Sequence, residues 1–368
     1  MEEKSTKNKK TQSVSKVEKD KTKVKSTAKN TENKKATDKK STSKAKSVTK
    51  KTPAKKTPAK KSKTSEKKNT KQVEAMKNIK ILGFHDLELN TYVYDNVKEP
   101  KATVVIVHGM QEHALRYDNF CKFLNENGYI AIATDSRGHG KTMKSSAEYG
   151  CGEKDIFAET VKDQLNVIAY AHDTYHLPVY VFGHSYGSMI TQNLVQQSPL
   201  IEKAVICGTA NGDAITFKAG NFLTALMLPF KNKNKRGGLV EKMCINSYGK
   251  GFKDGNWLSR DEEVFETYKN DPLCGGTFPF SFYRSLVKNM VKTNANIDKI
   301  GNKKLFLIAG TQDPVGEKGK QVQKLYKLYL KNNIDAKMKL YEGARHELLN
   351  EINKKEVCSD ILNFFDGI

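Results

Sequence analysis

Gly183-His184-Ser185-Tyr186-Gly187 sets a serine between two glycines at G-x-S-x-G spacing, directly after the apolar run VYVF and before a helix-like stretch. A serine on a sharp strand-to-helix turn is held in a strained conformation, and small flanking residues let neighbouring backbone approach it without clash. The hydroxyl is thereby raised above the sheet, with a helix N-terminus beneath it that favours developing negative charge. An alcohol is a weak nucleophile at neutral pH, so the pattern requires a base, and the base requires an acid to fix its tautomer. Both follow in order. LFLIAGTQDPVG sets Asp313 just past one apolar run, and MKLYEGARHELLNE sets His346 just past another. Acyl transfer also needs two N–H donors for the oxyanion. The Tyr186 amide, next after the nucleophile, is one, and VVIVHGMQEH offers the Met110 amide as the other.

These residues need a frame, and the pattern from about residue 78 supplies it. Short β-rich runs occur at Thr103–Val107, Tyr129–Thr134, Val179–Phe182, Ala204–Cys207, Leu305–Ala309 and Met338–Tyr341. Helix-length segments with three- and four-residue apolar spacing, such as Phe157–Ala171 and Val322–Leu330, lie between them. Apolar strands joined by helices imply a mostly parallel sheet covered on both faces. Ile79–Phe84 and Leu89–Tyr94 are expected as an antiparallel edge. From about 210 to 296 no convincing strand occurs, and a gap that long points to an inserted helical cap. Its segment Ala219–Phe230 is apolar over most of its circumference, which suits cap packing, the wall of an acyl channel or a surface that dips into lipid.

Charge divides the chain. Residues 1–76 carry 26 Lys against 8 acidic residues, +18 of the total +23, whereas residues 77–368 carry 38 basic against 33 acidic ones. The tail is built from Lys, Ser, Thr and Asn and includes the repeat KTPAKKTPAKK, so it cannot bury enough surface to offset its ordering entropy. We read 1–76 as a disordered polybasic tail and 77–368 as the folded domain. The tail is either simply solvated or an electrostatic contact to anionic membrane or nucleic acid. MEEKSTKNKK has no apolar secretion core and no run reaches a membrane span, so a cytoplasmic protein, peripheral to the membrane at most, is expected. The six cysteines form no CxxC pair and are expected as free thiols.

Several residues carry two readings. Glu112 and Arg116 lie where the polar end of a substrate could bind, or they form a local ion pair. Asp135, Arg137 and His139 could suggest a second acid–base set, but a structural role around a glycine turn is favoured. His108 and His113 have no carboxylate or cysteine at metal-ligand spacing in the sequence, and no metal is expected. Glu347 and Glu351 are set aside as triad acids.

VVIVHGMQEHALRY, ATDSRGHGKT, GHSYGS, AGTQDPVG and YEGARHELLNE together resemble the monoacylglycerol lipase and lysophospholipase branch of the α/β-hydrolases. The resemblance spans about residues 100–368. It implies an α/β-hydrolase fold with a helical cap between the sixth and seventh strands, and a serine esterase without metal or organic cofactor. Its substrates carry one acyl chain. On matching positions it implies Ser185, Asp313 and His346 as the triad and the Met110 and Tyr186 amides as oxyanion donors. Phe222 and Leu226 of the cap join Glu112 and Arg116 as substrate-binding candidates, and no stable protein partner is expected. The family usually reads GHSMGG, so Tyr186 adds bulk beside the nucleophile and Ser188 replaces a glycine. Two rivals stay open: an aminopeptidase or amidase using a cap carboxylate (Glu241, Asp254, Asp261 or Glu262), and a nonenzymatic protein working through its tail.

Overall fold

The computed structural model describes residues 76–230, 232–238, 241–242 and 247–368. The polybasic segment 1–76 lies outside the described residues except for Met76.

Eight strands form one sheet in the order β1-β2-β4-β3-β5-β6-β7-β8. They are β1 Lys77–Leu82, β2 Glu88–Tyr94, β3 Ala102–Val107, β4 Tyr129–Thr134, β5 Val179–His184, β6 Ile201–Cys207, β7 Lys304–Gly310 and β8 Ala336–Tyr341. β1 and β2 pair antiparallel at one edge, and β2 joins β4 antiparallel. From β4 to β8 every pairing is parallel. The expected strands are all present, the antiparallel edge included.

Alternation along the strands splits the core in two. Val105, Val107, Val181 and Ile206 face one side, with α2 (Ile156–Tyr175), α3 (Tyr186–Gln197) and α7 (Lys320–Lys331) packed over them. Val104, Ile106, Phe182 and Val205 face the other, under α1 (Asp118–Glu126) and α8 (Lys354–Asp366). Each such side chain, fully buried, contributes about 1.5–3 kcal/mol relative to an exposed one. This two-sided burial is why β3, β4 and β5 have no exposed residue and read as continuous apolar runs.

The cap fills the connection between β6 and β7. It holds α4 (Ile215–Met227), α5 (Glu262–Asn270) and α6 (Phe280–Met290). α6 anchors it: Phe282, Tyr283, Leu286 and Met290 join the α2/α3 core. Asp155, which caps α2 through the Ala158 N–H, also accepts from Lys288 Nζ and Asn289 Nδ2 at 2.8 Å and from the Ser285 hydroxyl. One carboxylate therefore starts a core helix and holds a cap helix.

Candidate active site

The site is built on loops at the carboxyl ends of β3, β5, β7 and β8. Ser185 follows β5 with φ 53° and ψ −118°, a conformation rare for a residue bearing a Cβ. The turn survives because both neighbouring glycines are required by space. A Cβ at Gly183 would collide with Thr191 Oγ1 and the Gly187 carbonyl, and one at Gly187 with the carbonyls of Val107 and His108. The Ser185 N–H donates to the Cys207 carbonyl at 2.9 Å, tying the elbow to β6.

Asp313 and His346, 33 positions apart, meet behind the serine. His346 Nδ1 lies 2.9 Å from Asp313 Oδ1, and both residues are almost fully buried. The Val315 N–H also donates to Oδ1 at 2.9 Å, fixing the carboxylate. With Nδ1 held by the carboxylate, Nε2 is the free nitrogen, and among the described residues it has no hydrogen-bond partner. Ser185 and His346 line the same cavity of about 560 Å³. Met110 and Tyr186 line it too. The Gly109 N–H is already given to Glu112 Oε1 at 2.6 Å, which leaves Met110 as the next amide of that loop.

The Tyr186 ring belongs to the core beside α2 and α6. It is buried against Phe157 and Phe282, with its hydroxyl 3.5 Å from Thr160 Oγ1. Ser188 donates to the Ser185 carbonyl at 2.5 Å. Both departures from GHSMGG therefore have structural partners within the fold.

Glu112 and Arg116 belong to a buried charge network. Arg116 donates to Glu112 Oε2 at 2.6 Å and grips Glu347 with two bonds of 2.8 and 2.7 Å. Glu112 also accepts from the Tyr117 hydroxyl at 2.8 Å and from His184 Nδ1 at 3.2 Å. Burial pushes Glu112 upward, but the Arg116 charge and the His184 hydrogen bond outweigh it and hold the carboxyl well below its usual range. Burial opposes charge on His184 as well, yet the Glu112 hydrogen bond and charge leave it raised. Of the two readings, the ion pair is present. Glu112 still lines the cavity, whereas Arg116 does not.

The cap candidates fall on the outer side of their helix. Phe222 is 67% exposed and Leu226 57%, and neither lines the cavity. Ala219, Gly220, Leu223 and Thr224 do, from the opposite side of α4. An all-round apolar helix carries no phase signal, so composition could not choose the inward side. The same cavity is walled by Phe217, Leu286, Val287 and Met189.

Asp135 and Arg137 are structural, as favoured. Asp135 accepts from the Ala114 and Lys141 N–H groups, and Arg137 pairs with buried Asp163 at 2.8 and 2.9 Å. Glu351 pairs with Arg260 and not with the histidine. The five described cysteines are unpaired, and Cys244 lies outside the described residues.

Other supports had no sequence signal. Trp257 lies beside the His346 ring at 5.0 Å between centroids, and its carbonyl accepts the His346 N–H at 3.4 Å. Arg345 reaches Asp254 and the carbonyls of Asn256 and Ser259. The cap thus holds the histidine loop from above.

A family model described as serine aminopeptidase, S33 (Hydrolase_4) matches residues 98–353, which contain the whole of this arrangement. The chain belongs to this family. Curated relatives of this S33 protein include the monoglyceride lipase homolog of Monkeypox virus, 28% identical over 74% of this chain and 93% of the relative. The monoacylglycerol lipase of Mycolicibacterium smegmatis is 26% identical over 72% and 88%. Among solved structures, a highly thermostable carboxyl esterase from Bacillus coagulans in complex with glycerol superposes with a TM-score of 0.74. It is 25% identical, covering 80% of this chain and 99% of that one. The α/β-hydrolase fold and the likeness to monoacylglycerol lipases expected from the motifs both hold.

Proposed function

We propose that this S33 protein is a serine esterase that hydrolyses carboxylic esters of single-chain lipids, with a monoacylglycerol as the preferred class. His346 Nε2 takes the Ser185 proton as Ser185 Oγ attacks the acyl carbonyl, and the amides of Met110 and Tyr186 hold the oxyanion. His346 then gives that proton to the leaving alcohol. Water, deprotonated by the same histidine, attacks the acyl-enzyme and releases the fatty acid with Ser185 restored. Asp313 keeps Nδ1 protonated and stabilises the imidazolium.

The carrying observation is the cavity of about 560 Å³, which joins Ser185 and His346 to an apolar wall of Leu223, Leu286, Val287 and Met189 suited to an acyl chain. Among the described residues no Lys or Arg lines it, while Glu112, Glu317 and Glu347 do. A neutral glycerol headgroup fits that electrostatic setting better than a phosphate, which places lysophospholipids second. The lipase and esterase relatives support the ester reading.

An amidase would need a cap carboxylate at the cavity. Asp254 pairs with Arg345, Asp261 caps α5, and Glu241, Asp254, Asp261 and Glu262 are all absent from the lining. Peripheral binding to lipid is part of the proposal: Ile215, Phe222 and Leu226 are 74, 67 and 57% exposed on the helix whose other side lines the cavity. Among the described residues no helix is long and apolar enough to cross a membrane. The lysine-rich segment 1–76 would add attraction to anionic headgroups to this apolar contact.

Fluorophosphonate labelling tests the chemistry, with labelling expected in the wild type and none in Ser185→Ala. Fatty-acid release from monoacylglycerol, lysophosphatidylcholine and aminoacyl amides tests the substrate, and faster cleavage of the amides overturns the lipid assignment. Co-sedimentation of the full chain and of residues 77–368 with anionic vesicles tests the tail.

A further inference from the structure

His113 was expected to stand without metal-ligating partners, yet the fold brings two to it from the cap. Its Nε2 lies 2.8 Å from Asp271 Oδ2, and Cys274 completes a cluster whose three ligand atoms all lie within 4.8 Å of one another. Imidazole, carboxylate and thiol form a donor set suited to zinc-class ions and unsuited to magnesium or calcium, which prefer all-oxygen sites.

The two segments that carry the donors are already pinned together. The Gly275 N–H donates to the Gln111 carbonyl at 3.0 Å, and Gln111 Nε2 donates to the Gly276 carbonyl at 2.7 Å. Asp271 is oriented in turn, because its Oδ1 accepts the Leu273 N–H at 2.8 Å and its carbonyl accepts the Cys274 N–H at 3.0 Å. The donors therefore have little freedom left to lose on binding. His113 is buried, while Asp271 and Cys274 are partly exposed, which gives an ion a way in from solvent. Arg116, whose charge is felt at Asp271 and Cys274, is paired with Glu112 and Glu347.

We propose that His113, Asp271 and Cys274 form a binding site for one zinc-class divalent ion that clamps the cap loop at 271–276 onto the loop carrying Met110. Zinc bonds of about 2.0–2.3 Å place tetrahedral ligands about 3.3–3.8 Å apart, so the cluster closes with sub-ångström to ångström adjustments. The ion takes the place of the hydrogen shared between His113 Nε2 and Asp271 Oδ2. Neutral His113 moves that hydrogen to Nδ1 by tautomerisation, which frees the Nε2 lone pair for the ion; the Asp271 carboxylate binds as it is, and the Cys274 thiol releases one proton to solvent.

Metal-free, tag-free full-length protein titrated with cobalt(II) tests this directly. One equivalent should bind with a near-ultraviolet thiolate-to-cobalt charge-transfer band, zinc should displace it, and zinc should raise the thermal midpoint. Cys274→Ser should lose the charge-transfer band, and Asp271→Asn, which keeps an acceptor for the Leu273 N–H, should lose stoichiometric binding. No band in the wild type, or the same band in Cys274→Ser, overturns the site.

Discussion

Strands β3, β4 and β5 bury every one of their residues, whereas cap helix α4 buries only Thr224 and α5 buries none. The sheet is held by continuous apolar packing on two faces, and the cap, among the described residues, by the packed helix α6 and polar latches such as Asp155 and Arg345. Ser185 and Met110 follow β5 and β3 of the first region, while Asp313 and His346 follow β7 and β8 of the same sheet. The second shapes what reaches them, and its looser fastening suits a cover that admits a substrate. The comparison predicts that substitutions at the platform site act on rate, and that those in the cap act on substrate choice and closure.

The largest effect should come from Ser185→Ala, which is expected to lower kcat about a million-fold while leaving the circular dichroism spectrum unchanged. Asp313→Asn removes the negative charge that stabilises the imidazolium and lets an amide N–H face His346 Nδ1, which holds the wrong tautomer, and should cost about 10⁴-fold in kcat, measured as fatty-acid release. A platform ion pair comes next: Arg137→Met leaves Asp163 buried without its partner and should lower stability by about 3–5 kcal/mol, read from the urea midpoint.

In the cap, Leu223→Ala should raise KM for long-chain monoacylglycerols about tenfold with little change for short-chain esters. Phe222→Ser should leave KM for soluble short esters unaltered, and an equal KM rise in both variants would erase the inward–outward distinction on α4. The smallest effect concerns Asp155. Burial pushes its carboxyl up, but the hydrogen bonds from Lys288 and Ser285 outweigh burial and hold it below the ordinary 3.8. A depressed folded value means the latch stabilises above pH 3.8 and is lost as pH falls through the folded value. Asp155→Asn should therefore cost about 1 kcal/mol near neutrality and flatten the acid limb of the stability profile.

The central strands were legible because a strand buried on both faces needs an unbroken apolar run, whereas the edge strands β1 and β8, KNIKIL and AKMKLY, were legible from the alternation of apolar and polar residues. Asp313 and His346 were legible for a related reason: each lies a few residues past one of those runs, and parallel strands bring their carboxyl ends to one edge. The departures at Tyr186 and Ser188 were visible as letters, but that the Tyr186 ring packs on Phe157 and Phe282 was not. Glu347 looked like a neighbour of the histidine and proved to be the bidentate partner of Arg116, 231 positions earlier.

Local pattern was enough to place the strands and to nominate Ser185, Asp313 and His346 in that order along the chain. Strand periodicity and strand-end position are local properties, and the G-x-S-x-G sterics involve residues two apart. Folding alone turns Leu223 of α4 inward and Phe222 outward, joins Arg116 to Glu347, and sets His113 beside Asp271 and Cys274. Those outcomes rest on contacts across 60 to more than 200 positions of chain, where no spacing rule operates and packing chooses the partner.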